Sequence, residues 1–210
     1  MAYLVLVRHG LSEYNKKGLW TGWNDPDLAP EGLEEAKRAG ESLKDIHFDF
    51  AYTADFKRAK QTLDEILRQI NQLDLPIKAA PELRERNYGD FTAKNKWQVK
   101  AEVGQSEFQK IRRSWNQPIP NGESLKQVNE RIWPYFVNEL LPKLKKGQNI
   151  LIASSGNAFR ALIKSLENIP EDEIANLEFG LGEAYVYKFG TDGKITSKEI
   201  RAVNVNKDEI

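Results

Sequence analysis

The sequence has no cysteine. Disulfide staples and thiolate metal sites are therefore excluded, and the chain fits a reducing compartment. Histidine is scarce too. Only His9 and His47 occur, too few for a histidine-rich metal centre. Net charge is missing: 31 Lys and Arg balance 31 Asp and Glu. A neutral chain does not read as a general binder of nucleic acid or membrane surfaces, so any anion site must come from local clustering of bases. There is no long apolar run either. Leu4–Val7 is too short for a signal peptide or a membrane span, and Arg8 interrupts it. No internal repeat or low-complexity tract is present. The expectation is a cytoplasmic protein. What remains is an ordinary globular composition, 40% hydrophobic and 30% charged over 210 residues. That is enough for one sizeable core, expected as a single domain over 1–210.

Leu4–Val5–Leu6–Val7 reads as a strand buried on both faces. It runs straight into Arg8, His9 and Gly10. The carboxyl end of such a strand is where ligands bind in open α/β sheets. A neutral imidazole there can attack phosphorus, and a guanidinium can hold phosphate oxygens in a fork. Gly10 permits a sharp turn and a close approach by a ligand. Three residues alone favour the plainer reading, a strand end with a solvated Arg-His pair.

Further along, 11–27 reads as a long loop with Gly18, Gly22, Asn24 and Pro26. Its Ser12, Asn15 and Thr21 could donate to phosphate or brace turns. A helix is expected over 30–45 and a strand over 48–53, with His47 on the surface at the far end of that strand. Asp55 is the expected N-cap of a helix through Ile70, which puts Arg58 in its first turn, close to any anion at the sheet edge. A short strand is expected over 75–80. Residues 82–95 are dense in charge around Gly89. Short helices follow over 94–103 and 107–115, then a long helix over 123–146 kinked at Pro134. A buried strand at 149–153 ends at Ser154–Ser155–Gly156–Asn157 and enters another helix, and a short helix is expected over 171–177. Segments 184–189 and 194–202 form a hairpin around Asp192–Gly193. This alternation predicts an α/β three-layer sandwich with a mostly parallel central sheet.

The polar residues at predicted strand ends are Arg8, His9, Asn15, Arg58, Gly156 and Asn157. The loops add Glu85, Arg86, Lys96, Arg112 and Arg113. Bases gathered at one rim of a neutral protein suit a small, highly anionic ligand. Glu85 among them could donate and accept a proton, or could pair with Arg84 or Arg86.

Leu6–Val7–Arg8–His9–Gly10–Leu11–Ser12–Glu13–Tyr14–Asn15 resembles the signature of the histidine phosphatase superfamily. Thr21–Gly22–Trp23, Lys57–Arg58–Ala59, Glu85–Arg86–Asn87–Tyr88–Gly89, Asn95–Lys96, Arg112–Arg113 and Gly156–Asn157 follow in order. Together they resemble the bisphosphoglycerate-dependent phosphoglycerate mutases, over Tyr3 to about Tyr187. The resemblance implies interconversion of 3- and 2-phosphoglycerate in glycolysis and gluconeogenesis. His9 would carry the phosphoryl group, primed by 2,3-bisphosphoglycerate, with no metal. Arg8, Arg58 and Asn157 would hold that group, and Ser12, Asn15, Thr21, Gly22 and Gly156 are further candidates for substrate binding. Glu85 would shuttle the hydroxyl proton. Arg86, Tyr88, Lys96, Arg112 and Arg113 would hold the rest of the phosphoglycerate.

One position departs from the family pattern. Where the motif at the second strand-helix corner reads Ala-His-Gly-Asn, this chain has Ser154–Ser155–Gly156–Asn157. Ser155 takes the place of a second histidine that binds the transferring group. A hydroxyl donates one hydrogen bond but no charge, and losing one such donor costs ~10²–10³ in rate. The segment from Arg113 to Glu123 and the tail after Val203 are short for the family. The sequence does not distinguish monomer from dimer. Other readings are a phosphomonoester phosphatase of the same superfamily and a catalytically impaired binder of phosphorylated ligands. A serine hydrolase built on Ser155 lacks the Gly-x-Ser-x-Gly frame.

Overall fold

Two central strands set the architecture through their alternating side chains. In a computed structural model, which describes residues 1–204, β1 (Ala2–Arg8) and β4 (Ile150–Ser154) pair in parallel at the centre of a six-stranded sheet. Leu4, Leu6, Ile150 and Ile152 enter the core on one face. Val5, Val7, Leu151 and Ala153 enter the core on the other. All eight are fully buried. Each large one contributes roughly 1.5–3 kcal/mol relative to exposure. This is why the strand reads as a continuous apolar run rather than an alternating one.

The intervening elements in chain order are α1 (Glu13–Lys16), α2 (Pro30–Glu41), β2 (Phe50–Thr53), α3 (Lys57–Gln69), β3 (Ile77–Ala79), α4 (Lys96–Arg113), α5 (Leu125–Tyr135) and α6 (Leu141–Lys145). After β4 come α7 (Gly156–Glu167), β5 (Ala184–Phe189) and β6 (Ile195–Arg201). The sheet order is β3-β2-β4-β1-β5-β6. The first four strands run parallel, and the β5–β6 hairpin lies antiparallel beside β1. Helices α2 and α3 cover one face, and α5 and α7 cover the other. The result is the expected three-layer sandwich. Among the described residues, no helix is long and apolar enough to cross a membrane.

Several local expectations are corrected. Asp55 does not cap α3. Its carboxylate takes two hydrogen bonds from Arg84, at 2.7 and 2.5 Å. The N-cap is Phe56, and the Lys57 N–H is satisfied across the fold by Asp25 Oδ1 at 2.6 Å. The long loop contains α1, capped by Ser12. The expected helix over 123–146 is three pieces: α5, a π-helical turn over Phe136–Leu140, and α6. Pro134 and Pro142 each remove an N–H from the ladder, and the wider turn lies between them. The two short helices expected over 94–103 and 107–115 agree with α4, which breaks at Gly104, whose φ of 80° suits only glycine. The expected helix over 171–177 is a single 3₁₀ turn at Ile174–Asn176. Gly10 also makes room for the chain itself: a Cβ there would lie 2.1 Å from the Gly32 carbonyl oxygen. His47 is exposed, next to the start of β2. Of the tail after Val203, residues 205–210 lie outside the described residues.

Candidate active site

Parallel pairing brings the ends of β1, β2 and β4 level. Arg8 sits opposite Ser154, and Thr53 opposite Ala153. The first turns of α3 and α7 therefore open onto one edge, carrying Arg58 and Asn157. Because β5 runs antiparallel, its beginning reaches the same edge. A cleft forms there, lined by Arg8, His9, Asn15, Thr21, Gly22, Arg58, Glu85, Tyr88, Lys96, Arg112, Arg113, Gly156 and Asn157. Trp20, Arg160, Glu178 and Phe179 complete the lining. These four were not singled out in the sequence. Glu178 and Phe179 precede an antiparallel strand, so attention to carboxyl ends alone misses them.

His9 is buried, and its backbone N–H donates to the Ser154 carbonyl at 2.8 Å. Its Nδ1 lies 2.7 Å from the Gly10 carbonyl oxygen. A carbonyl only accepts, so Nδ1 carries the proton and the lone pair remains on Nε2. Burial, then the charges of Arg58 and Arg8, hold the imidazole pKa well below its usual value. The ring is neutral at pH 7, the state a nucleophile requires.

The surrounding cations are held by carbonyls more than by carboxylates. Arg58 donates to Asn24 O at 2.8 Å and Gly22 O at 3.0 Å. Arg8 Nη1 donates to Phe179 O at 2.5 Å. The Nε atoms of both arginines, and Thr21 Oγ1, are buried with no hydrogen-bond partner among the described residues. Buried donors in that condition are costly unless something accepts from them. Burial lowers the Arg58 pKa to about 10 and leaves it charged at pH 7. Lys96 is pushed down to about 7 by burial, then by Arg112 and Arg8, with Glu85 opposing. Arg113 pairs with Glu178 at 2.5 Å.

Glu85 is buried, and its Oε1 accepts from the Arg86 backbone N–H at 2.6 Å. The pairing with Arg84 or Arg86 weighed from the sequence is not its arrangement. Arg84 is held by Asp55, and the Arg86 guanidinium donates to Ile111 O at 2.5 Å.

Three of the expected site residues do not line the cleft: Ser12, Arg86 and Ser155. Ser12 Oγ accepts from the Asn15 N–H at 3.2 Å and donates to Asn15 Oδ1 at 2.7 Å. It braces α1 and turns the Asn15 amide donor group away from itself. Arg86 lies fully buried under the Tyr88 ring, 4.5 Å from its centroid. Ser155 is fully buried at the N-cap of α7. Its hydroxyl makes no capping bond and has no partner among the described residues. A Cβ on the neighbouring Gly156 would lie 3.1 Å from Arg8 Nε, so the glycine lets Arg8 lie across the helix start.

Comparison with known proteins shows the family. Residues 4–202 match the model of the histidine phosphatase superfamily (branch 1). A 2,3-bisphosphoglycerate-dependent phosphoglycerate mutase of Bartonella henselae is 45% identical over 199 residues, covering 94% of this chain and 97% of that one. The same-named protein of Allorhizobium ampelinum is 40% identical over 199 residues, covering 94% of each chain. By fold, the chain superposes on a mycobacterial glucosyl-3-phosphoglycerate phosphatase solved with VO3. The TM-score is 0.82 at 21% identity, covering 95% of this chain and 97% of the other. Bacillus stearothermophilus YhfR gives 0.81 at 22%, covering 93% and 94%. The chain belongs to the histidine phosphatase superfamily, in the family of the 2,3-bisphosphoglycerate-dependent phosphoglycerate mutases.

Proposed function

We propose that the protein interconverts 3-phosphoglycerate and 2-phosphoglycerate through phosphorylation of His9. The observation that carries this reading is the neutral His9 imidazole, with its lone pair on Nε2, set among cations in one cleft. The relatives at 40–45% identity support a mutase over a phosphatase. So does the group of Lys96, Arg112 and Arg113, which suits retention of a second anionic group.

The residues present fit a 2,3-bisphosphoglycerate primer. The Nε–H groups of Arg8 and Arg58 and the Thr21 hydroxyl await acceptors in a cationic cleft. Arg8, Arg58 and Asn157 would hold one phosphoryl group, and Lys96, Arg112 and Arg113 the remainder. The primer supplies the phosphoryl group that loads His9. His9 Nε2 then holds that group, with Arg8 and Arg58 neutralising its oxygens much as metal ions do in kinases. Glu85 would take the proton from the substrate hydroxyl as that oxygen bonds to phosphorus and His9 Nε2 leaves, and would return it to the other substrate oxygen when that oxygen leaves and His9 Nε2 takes back a phosphoryl group. Tyr88 and the Asn15 amide orient the substrate body. The α7 N-terminus, with Ser155 buried beneath the cleft wall, would stand where the family motif carries a second imidazole.

The test is formation of 2-phosphoglycerate from 3-phosphoglycerate, with and without 2,3-bisphosphoglycerate, alongside release of inorganic phosphate. Primer-dependent interconversion faster than phosphate release is expected. Phosphate release outpacing interconversion would identify a phosphatase instead.

A further inference from the structure

Arg160, on α7, differs from the other arginines of the cleft. It is 3% exposed. Its Nε donates to Leu177 O at 3.1 Å. Its Nη1 donates to Asn157 Oδ1 at 2.9 Å and to Arg112 O at 3.4 Å. Its Nη2 donates to Arg113 O at 2.9 Å and Ile174 O at 2.8 Å. A guanidinium has five N–H donors and no acceptor. All five are committed, so none remains for a bound molecule.

Two consequences follow. The Asn157 atom facing Arg160 must be the oxygen, because a guanidinium cannot accept. The Asn157 amide nitrogen is then turned the other way, where it donates to Tyr88 Oη at 2.8 Å. Arg112 and Arg113 end α4, and their carbonyls have no partner within that helix. A buried cation at a helix C-terminus satisfies those carbonyls and complements the dipole. Burial lowers the Arg160 pKa to about 9, with Arg113 and Arg86 adding to the effect, so all five protons are present at pH 7.

We propose that Arg160 is a positioning residue for ligands bearing two anionic groups. It fixes the donor face of Asn157 and the backbone of Arg112–Arg113 relative to each other, and so sets the separation of the two anion grips. The inference rests on the phosphoglycerate reading above.

The test compares Kd for 3-phosphoglycerate and for inorganic phosphate, by calorimetry at pH 7, in the wild type and in Arg160→Lys. Far-UV circular dichroism and Tm are recorded on both. Lysine keeps the charge but cannot span five acceptors. The expected result is a loss of about tenfold or more for 3-phosphoglycerate and a much smaller loss for phosphate. A folded Arg160→Lys protein that loses both affinities equally, or neither, overturns the inference alone. A wild type that binds 3-phosphoglycerate no more tightly than phosphate overturns the functional reading, and this inference with it. Should Arg160→Lys fail to fold, the wild type decides. The Asn157 side-chain amide NMR pair, assigned by its disappearance in Asn157→Ser, should shift as phosphate is titrated in. An unshifted pair overturns the assigned orientation.

Discussion

The two strand-end corners of the sheet share a backbone plan and differ in chemistry. At the first, β1 delivers His9, whose Nδ1–H is fixed by Gly10 and whose Nε2 keeps a lone pair. At the second, β4 delivers Ser155, whose hydroxyl is buried and has no partner among the described residues. Arg8 and Ser154 lie in register, and the His9 N–H bonds back to Ser154 O, so the corners are direct neighbours. The first corner is closed by the backbone of α2, against which only Gly10 fits. The second is closed by the start of α7, across which Arg8 lies. On the proposed mechanism, one corner supplies the nucleophile. The other keeps the anion-binding geometry of a helix N-terminus without the imidazole that the family motif carries there.

The comparison breaks most completely at the first corner. His9→Ala should abolish turnover, by ~10⁶ as for loss of a catalytic nucleophile. Mass spectrometry at neutral to basic pH should show one phosphate on the wild type after incubation with 2,3-bisphosphoglycerate, and none on the variant. Label that persists in His9→Ala would falsify the assignment.

Restoring the imidazole at the second corner sharpens the contrast. Ser155→His should raise mutase kcat, by ~10²–10³, since one preorganised donor to the transition-state oxyanion is worth ~2.7–4 kcal/mol. The measurement is kcat at saturating 2,3-bisphosphoglycerate. Ser155 is fully buried, so overpacking is the competing effect, typically ~1–3 kcal/mol in stability. A variant with unchanged Tm and unchanged kcat would reject the view that the missing histidine limits the rate.

The smallest expected effect separates the nucleophile from the grip around it. Titration of His9 lies well below pH 7, whereas Lys96 titrates near 7 because it is buried against Arg112 and Arg8. An anion stabilises the protonated lysine, so binding takes up a proton once the pH exceeds about 7. Affinity for 3-phosphoglycerate should therefore fall as pH rises from 7 to 8, by up to about tenfold per unit for one linked proton. The phosphate itself is already dianionic in that range, with its second pKa near ~6. Calorimetry across this interval should give a sloping Kd in the wild type and a flat one in Lys96→Gln. Equal slopes would assign the proton elsewhere.

Much of the site was legible before any fold was known. His9 and Arg8 follow an unbroken apolar strand. Arg58 and Asn157 fall in first helical turns after strands. These positions follow from local periodicity plus the rule that parallel strands end together. What escaped detection depended on long-range partners. Asp55 reads as a cap by its position, but the bidentate Arg84 guanidinium wins its carboxylate, and a distant Asp25 takes the Lys57 N–H at the start of α3 instead. Ser12 and Arg86 belong to the right motifs yet support the cleft from behind. Glu178 and Phe179 arrive because one strand is reversed.

The sequence by itself determined the three-layer architecture, because apolar period and strand-helix alternation are local properties of neighbouring residues. It also determined the chemistry available at the rim: one imidazole and many guanidiniums, with no thiol. Tertiary structure alone decided which donors are spent and which are left to a ligand. Arg58 and Arg160 look alike as letters. Arg58 keeps a buried Nε–H with no partner among the described residues, while Arg160 gives all five of its donors away. The acceptors of Arg160 come from Asn157, Leu177, Ile174, Arg112 and Arg113. Carbonyls so far apart along the chain converge only once the helices have packed, and no local pattern encodes that convergence.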